Sequence, residues 1–150
     1  MNNKTLILGL GNVLMGDEGV GVRSAEYIQT QKIPENTEVL DGGTGGFHLL
    51  GLFDEYSKII MIDATIDGNK PGSVNLIRPK FASDFPKSLT SHDIGLRDLV
   101  QSAQALGSLP DIHLITVSIY DLRNVELKLS AKVEESLPEV YKQVIKVLEN

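Results

Sequence analysis

The chain has 150 residues, a net charge of −6, no cysteine, 41% hydrophobic residues and 23% charged residues. That is enough for one ordinary globular domain with one full core, expected over residues 1–150. The acidic balance and the absence of four or more consecutive Lys or Arg argue against nucleic acid or an anionic membrane as partner, and the lack of cysteine excludes disulfides, zinc–thiolate centres and cysteine nucleophiles.

The first element is KTLILGLG (4–11), a short apolar run closed by glycines. Such a run suits a strand buried on both faces of a parallel sheet. Gly9, Gly11 and Asn12 break it too early for a leader or a membrane span, so a cytoplasmic protein is expected. A helix is predicted over 17–31, with Val20, Val22, Ala25 and Ile28 on its apolar face and Pro34 beyond its end. TEVLDGGTGG reads as a strand ending at Asp41 and then a glycine turn. GFHLLGLFDEY reads as a helix and KIIMIDAT as a second continuous buried strand, ending in Asp63.

DGNKPG is a turn signal, and SVNLIRP is a strand stopped by Pro79. This fourth strand is expected to fold back on the third as an antiparallel hairpin at a sheet edge. The stretch 81–91 is an irregular loop. SHDIGLRDLVQSAQALG is a helix capped near Ser91 or Asp93, with Gly107 in the position of a C-cap glycine. DIHLITVSIYD is the last strand, and the tail is a helical turn followed by a helix with Pro138 near its start.

The order β-α-β-α-β-β-α-β-α predicts an α/β fold: a single-domain three-layer sandwich, with a mostly parallel twisted five-stranded sheet and helices on both faces. Ligands of such folds bind beyond the carboxyl ends of the strands. The Asp17–Glu18 pair, Asp41 and Asp63 all fall there.

The stretch GLGNVLMGDEGVG begins like a dinucleotide-binding loop. The fingerprint G-x-G-x-x-G fails at its third glycine, which is Leu14, and Gly16 comes two residues late. Asp17 and Glu18 then stand where a phosphate would need a positive helix end. Asp41 lies about thirty residues after Gly11, where a ribose-binding acid would lie about twenty on.

Asp17 suits a first-turn residue that complements a helix dipole; for Glu18 that reading weakens once Asp63 and His92 are considered. Asp63 is either a cap or a site residue. His92 starts a helix, whereas His48 lies in a helix and His113 in a strand, as packed residues do. Two carboxylates and an imidazole, Glu18, Asp63 and His92, brought from three loops to one crevice would make a nitrogen/oxygen metal site with open positions. Their spacing is no local motif. The glycines of DGGTGG serve either backbone turns or the close approach of an extended peptide.

In combination and in this order, LGLGNVLMGDEGVG, DGGTGG followed by LL, MIDA and SHDIGL resemble the hydrogenase maturation endopeptidases. The resemblance implies a sheet with helices on both sides. It also implies an enzyme that cuts the C-terminal extension from a nickel–iron hydrogenase large-subunit precursor after nickel insertion. The family's metal-contacting positions fall on Glu18, Asp63 and His92, with Glu18 and Asp63 also counted as catalytic; Asp41 matches the aspartate implicated in activity.

Gly42, Gly43 and Thr44 are expected to bind the substrate peptide. The nickel is expected to come with the precursor, with no nucleotide cofactor, and the enzyme to act as a monomer. Either the metal polarises the scissile carbonyl or activates water, or it docks the precursor while a carboxylate such as Asp41 serves as base. The alternatives are a non-enzymatic nickel-binding or chaperone module and a nucleotide-binding oxidoreductase.

Overall fold

Strand β1 (Thr5–Leu10) is buried along its whole length, and this sets the architecture around it. A strand that is apolar on both faces needs cover on both. The structure is a computed structural model describing residues 3–44, 49–90, 96–107, 109–120 and 125–149. Four further strands, β2 (Thr37–Gly43), β3 (Lys58–Thr65), β4 (Val74–Ile77) and β5 (Asp111–Ser118), join β1 in one sheet of order β2-β1-β3-β5-β4. β2, β1, β3 and β5 run parallel, and β4 is antiparallel to β5.

The helices divide between the two faces. On one face, α2 (Leu49–Phe53) and α3 (Leu96–Ala105) pack with the segment around Phe85 and Leu89 on Leu6, Leu8, Ile59 and Met61. On the other, α1 (Val20–Gln29), α4 (Ala131–Glu134) and α5 (Leu137–Leu148) cover Ile7, Ile60, Ile62 and Ile115. The three-layer α/β arrangement expected from the sequence is therefore present. Among the described residues no helix is long and apolar enough to cross a membrane.

Several boundaries differ from expectation. The fourth strand does not form a hairpin with the third; it pairs with β5 and takes the sheet edge beyond it. β5 is almost continuously buried and needs a neighbour on each side, whereas β4 has two exposed residues and tolerates an edge. β2 and β3 each run two residues past the acid at which they were expected to end. The helix expected from residue 17 begins as a 3₁₀ turn, Gly16–Gly19, and becomes α-helical at Val20. Gly107 has φ +72°, as a C-cap glycine should.

His113 is largely buried with Nε2 3.2 Å from Asp111 Oδ2, in keeping with a packed residue. His48 and the expected caps Ser91 and Asp93 lie outside the described residues. At the β2 edge, the Tyr56 hydroxyl donates to Glu38 Oε2. Burial and that carboxylate push the Tyr56 hydroxyl up to about 12.

The strand order places β2 and β3 on opposite sides of β1. Loops leaving β1 and β3 therefore flank a topological switch point, where open α/β sheets form their crevice. α1 lies close against the sheet beneath it. At Gly21 a Cβ would stand 2.1 Å from the Leu10 carbonyl oxygen and 2.2 Å from that of Ile62. Both are backbone atoms of central strands and have little room to move. Gly21→Ala is expected to cost about 1–3 kcal/mol or more by overpacking. Gly51→Ala, in α2 with open space around it, is expected to gain about 0.5–1 kcal/mol. Thermal unfolding of the two variants checks both signs.

Candidate active site

The loop after β1 folds back on itself before entering α1. Gly11 has φ +141°, and a Cβ there would lie 2.2 Å from the Glu18 carbonyl oxygen, so a side chain is excluded on two counts. The loop ends in the 3₁₀ turn Gly16–Gly19, which packs against β3 and carries both acids. The acids thus precede α1 rather than lying in its first turn.

They have different surroundings. Asp17 is engaged: its Oδ1 accepts from the Ser130 N–H at 2.7 Å and its Oδ2 from the Ser130 hydroxyl at 2.8 Å. Glu18 is partly buried, and among the described residues its carboxylate has no hydrogen-bond or ion-pair partner.

Asp63 lies across the switch point, near the end of β3, and is wholly buried. A carboxylate so placed must be compensated. Its Oδ1 accepts from the Ala64 N–H at 2.9 Å and from the Thr90 hydroxyl at 2.9 Å. The segment carrying Thr90 is fastened over the end of β3. Leu89 forms an antiparallel bridge with Thr65, the Ile66 N–H donates to the Ser88 carbonyl at 3.0 Å, and the Thr65 and Ser88 hydroxyls are 2.7 Å apart. Thr90 stands two residues before His92 in the sequence. His92, the third expected metal contact, lies outside the described residues.

Asp41 belongs to a different part of the crevice. It pairs in register with Gly9, one strand further from β3. Its Oδ1 accepts from the Gly43 N–H at 2.7 Å, and the residue is exposed. Strand alternation puts Asp41 on the face of Val39, with α1 and α5. Gly42 faces the other way: a Cβ on it would meet the side chains of Leu8 and Leu10 at 2.9 Å. Asp63 shares its face with Met61, the α2 and α3 side. The two aspartates leave the sheet on opposite faces. Of the expected peptide-binding residues, Gly42 is buried against β1, the Gly43 carbonyl accepts the Gly11 N–H at 2.8 Å, and Thr44 is exposed.

Among the described residues no three Asp, Glu or His side chains form a group that could hold a metal ion. Glu18 and Asp63 supply two carboxylates from the two sides of the switch point. Such donors suit a divalent cation that takes nitrogen and oxygen ligands, with a histidine to add nitrogen. Beside the Glu18 turn is a cavity of about 360 Å³, bordered by Gly16, Asp17, Tyr120, Glu126, Lys128 and Ser130. Leu14, Tyr120, Val125 and Leu127, close by in the same segments, are exposed. Sequence reasoning missed Thr90 and Ser130. The signal for Thr90 was a hydroxyl shortly before SHD; Ser130 pairs with Asp17 across 113 positions and had no local signal.

The family model for hydrogenase maturation proteases matches residues 22–147. The match includes Asp41, Asp63 and His92, and begins after Glu18. The hydrogenase 2 maturation protease of Escherichia coli K12 is 30% identical over 97% of this chain and 90% of its own length. The hydrogenase expression/formation protein HupD of Bradyrhizobium diazoefficiens is 35% identical over 81% of this chain; the aligned region spans 64% of that relative. The solved hydrogenase maturating endopeptidase HybD of E. coli superposes with a TM-score of 0.86 at 31% identity, covering 97% of this chain and 92% of that one.

The hydrogen bond from Thr90 to Asp63 yields a stability prediction. Thr90→Val keeps the shape and removes the donor. It is expected to lower stability by about 1–3 kcal/mol, the usual range for a hydrogen bond to a charged group or for leaving one unmet. Chemical denaturation of the variant beside wild type measures it.

Proposed function

Since the chain belongs to the hydrogenase maturation protease family, we propose that it is an endopeptidase that removes the C-terminal extension of a nickel–iron hydrogenase large-subunit precursor after nickel insertion. The observation that carries the reading is the pair of carboxylates at the switch point, a wholly buried Asp63 and a Glu18 without partner among the described residues.

Nickel is here part of the substrate. In this reading Glu18 and Asp63, with His92, meet the ion that the precursor carries on its own thiolates. A chain without cysteine offers only nitrogen and oxygen donors, which hold such ions less firmly than soft sulfur does. The enzyme then binds well only to a precursor already loaded, and the ion reports that loading. Gly42, Gly43 and Thr44 seat the peptide beside the crevice. The reaction is assigned to a monomer in the cytoplasm, without a nucleotide, since the acids preceding α1 would repel a phosphate.

Asp41 is the candidate base. Its place one strand away, on the opposite face from Asp63, favours action on the peptide rather than on the ion. A base is needed to take a proton from the attacking water as the peptide carbon is attacked.

Enzyme dialysed against EDTA and then freed of chelator is expected to shorten nickel-loaded precursor and to leave nickel-free precursor intact, as read by gel mobility and mass. Capture without shortening would make the protein a chaperone. An inert treated enzyme rescued by zinc would make the metal resident and overturn the substrate-checking role. Asp41→Asn is expected to retain binding of loaded precursor while cleavage falls by about 10²–10⁴-fold, the usual contribution of general base catalysis. Unimpaired cleavage by that variant would remove Asp41 from the chemistry.

A further inference from the structure

We propose that Asp17 and Ser130 form a clasp that positions Glu18, with Asp17 a positioning residue rather than a member of the ion-binding set. The inference rests on the reading of Glu18 given under Proposed function.

Asp17 and Glu18 are consecutive residues of one 3₁₀ turn. Successive side chains in such a turn point about 120° apart. Holding Asp17 in place therefore holds the backbone of the turn, and with it the direction in which the Glu18 side chain leaves it. Both Asp17 oxygens are bound to one residue, at 2.7 Å to the Ser130 N–H and 2.8 Å to its hydroxyl. This two-point contact defines the orientation of the carboxylate as a single bond would not.

Ser130 gives something up to make it. It is the N-cap residue of α4, in extended conformation, yet its side chain makes no capping bond to that helix. An N-cap serine ordinarily turns its oxygen to the helix N–H groups, to the helix's benefit. Here the hydroxyl is donated to Asp17 instead. The arrangement favours the turn that carries Glu18 over the helix that Ser130 begins.

The clasp is part of a wider seam. The Gly16 N–H donates to the Glu126 carbonyl at 2.7 Å, and the Glu126 N–H to the Leu14 carbonyl at 3.0 Å. On the far side of the turn, Arg23 Nη2 donates to the Leu127 carbonyl at 3.0 Å. The turn is thus tied before, at and after the acids to one stretch of chain. Of these links, the Asp17 clasp is the one adjacent to Glu18, and the one made by a side chain of the turn itself.

The test compares Asp17→Ala, Asp17→Asn and a core truncation in α5, Val144→Ala, in the full-length protein. Three quantities are read: Cd²⁺ affinity of the free enzyme by titration, KM and kcat on nickel-loaded precursor, and Tm. Asp17→Ala is expected to weaken Cd²⁺ binding and raise KM by roughly ten- to a hundredfold, the usual effect of losing a group that orients a ligand. Asp17→Asn can still accept from the Ser130 N–H and donate to its hydroxyl, and should stay close to wild type. Val144→Ala should lower Tm without changing Cd²⁺ affinity or KM. In a Glu18→Gln background, Asp17→Ala should add no further loss.

Unchanged Cd²⁺ affinity and KM in Asp17→Ala would overturn the proposal. So would an equal loss in Val144→Ala, which would reduce the clasp to general stability, or an equal loss in Asp17→Asn, which would assign the effect to charge. If Glu18→Gln binds Cd²⁺ and cleaves like wild type, the reading of Glu18 fails and the clasp falls with it. If Glu18→Gln is impaired while Asp17→Ala is not, the clasp alone is wrong.

Discussion

A carboxylate sealed from water is an expensive thing to place in a protein, and the end of β3 holds one. Asp63 follows four apolar residues that are themselves wholly buried. Removing a lone charged carboxylate from water costs several kcal/mol even after relaxation. The surrounding chain is organised to offset that cost. The Ala64 N–H and the Thr90 hydroxyl both point at one oxygen, and the segment bearing Thr90 is held down by a bridge to Thr65 and by a pair of hydroxyls. The apolar residues beside Thr90, Phe85 and Leu89, belong to the core under α2 and α3. Packing on one face thus delivers the donor that the buried acid requires.

The second carboxylate depends on a different device. Glycine lets the loop after β1 turn back until the Glu18 backbone touches Gly11, and Gly21 lets α1 lie directly on the carbonyls of β1 and β3. Together they bring the N-terminal end of α1, and the short turn before it, to the carboxyl end of the sheet. Helix packing and loop closure are the same event here: a side chain at either glycine would push the turn and the helix away from the strands. What looks in the sequence like a phosphate-binding loop is a compact turn that carries two acids, one clasped by Ser130 and one without a partner among the described residues.

The fold was legible because its signals are local and redundant. Continuous apolar runs marked β1 and β3, partial alternation marked β5, and helical periodicity marked α1, α3 and α5. The position of β4 was not legible. A turn between two strand-like runs suggests a hairpin, but β5 competes for the same edge of β3 and wins because it is more deeply buried. That contest is decided by residues some forty positions later in the chain, outside any local window. The acids at the strand ends could be seen as a set, since the α/β pattern brings strand ends together. Their individual surroundings could not. The resemblance already set Glu18 apart from its neighbour Asp17, but the clasp that engages Asp17 is made by Ser130, which only the folded chain brings near. Thr90 offered only a weak signal, a hydroxyl shortly before SHD, and its role depends on Asp63 across the fold.

The opposite facing of Asp41 and Asp63 has a topographic consequence. Asp41 is exposed on one face and Asp63 is sealed beneath the other, with β1 between them, so a rigid body resting on one side of the sheet is shielded from at least one of the two. To reach both, a chain must pass over the rim where β1 ends, draped across it like a strap over a ledge. An extended tail of a few residues has the thinness and the conformational freedom for that crossing. A loop anchored at both ends in a folded body does not, because it must go over the rim and return. The layout of the sheet would then sort polypeptides by whether they end nearby, before any side chain is read.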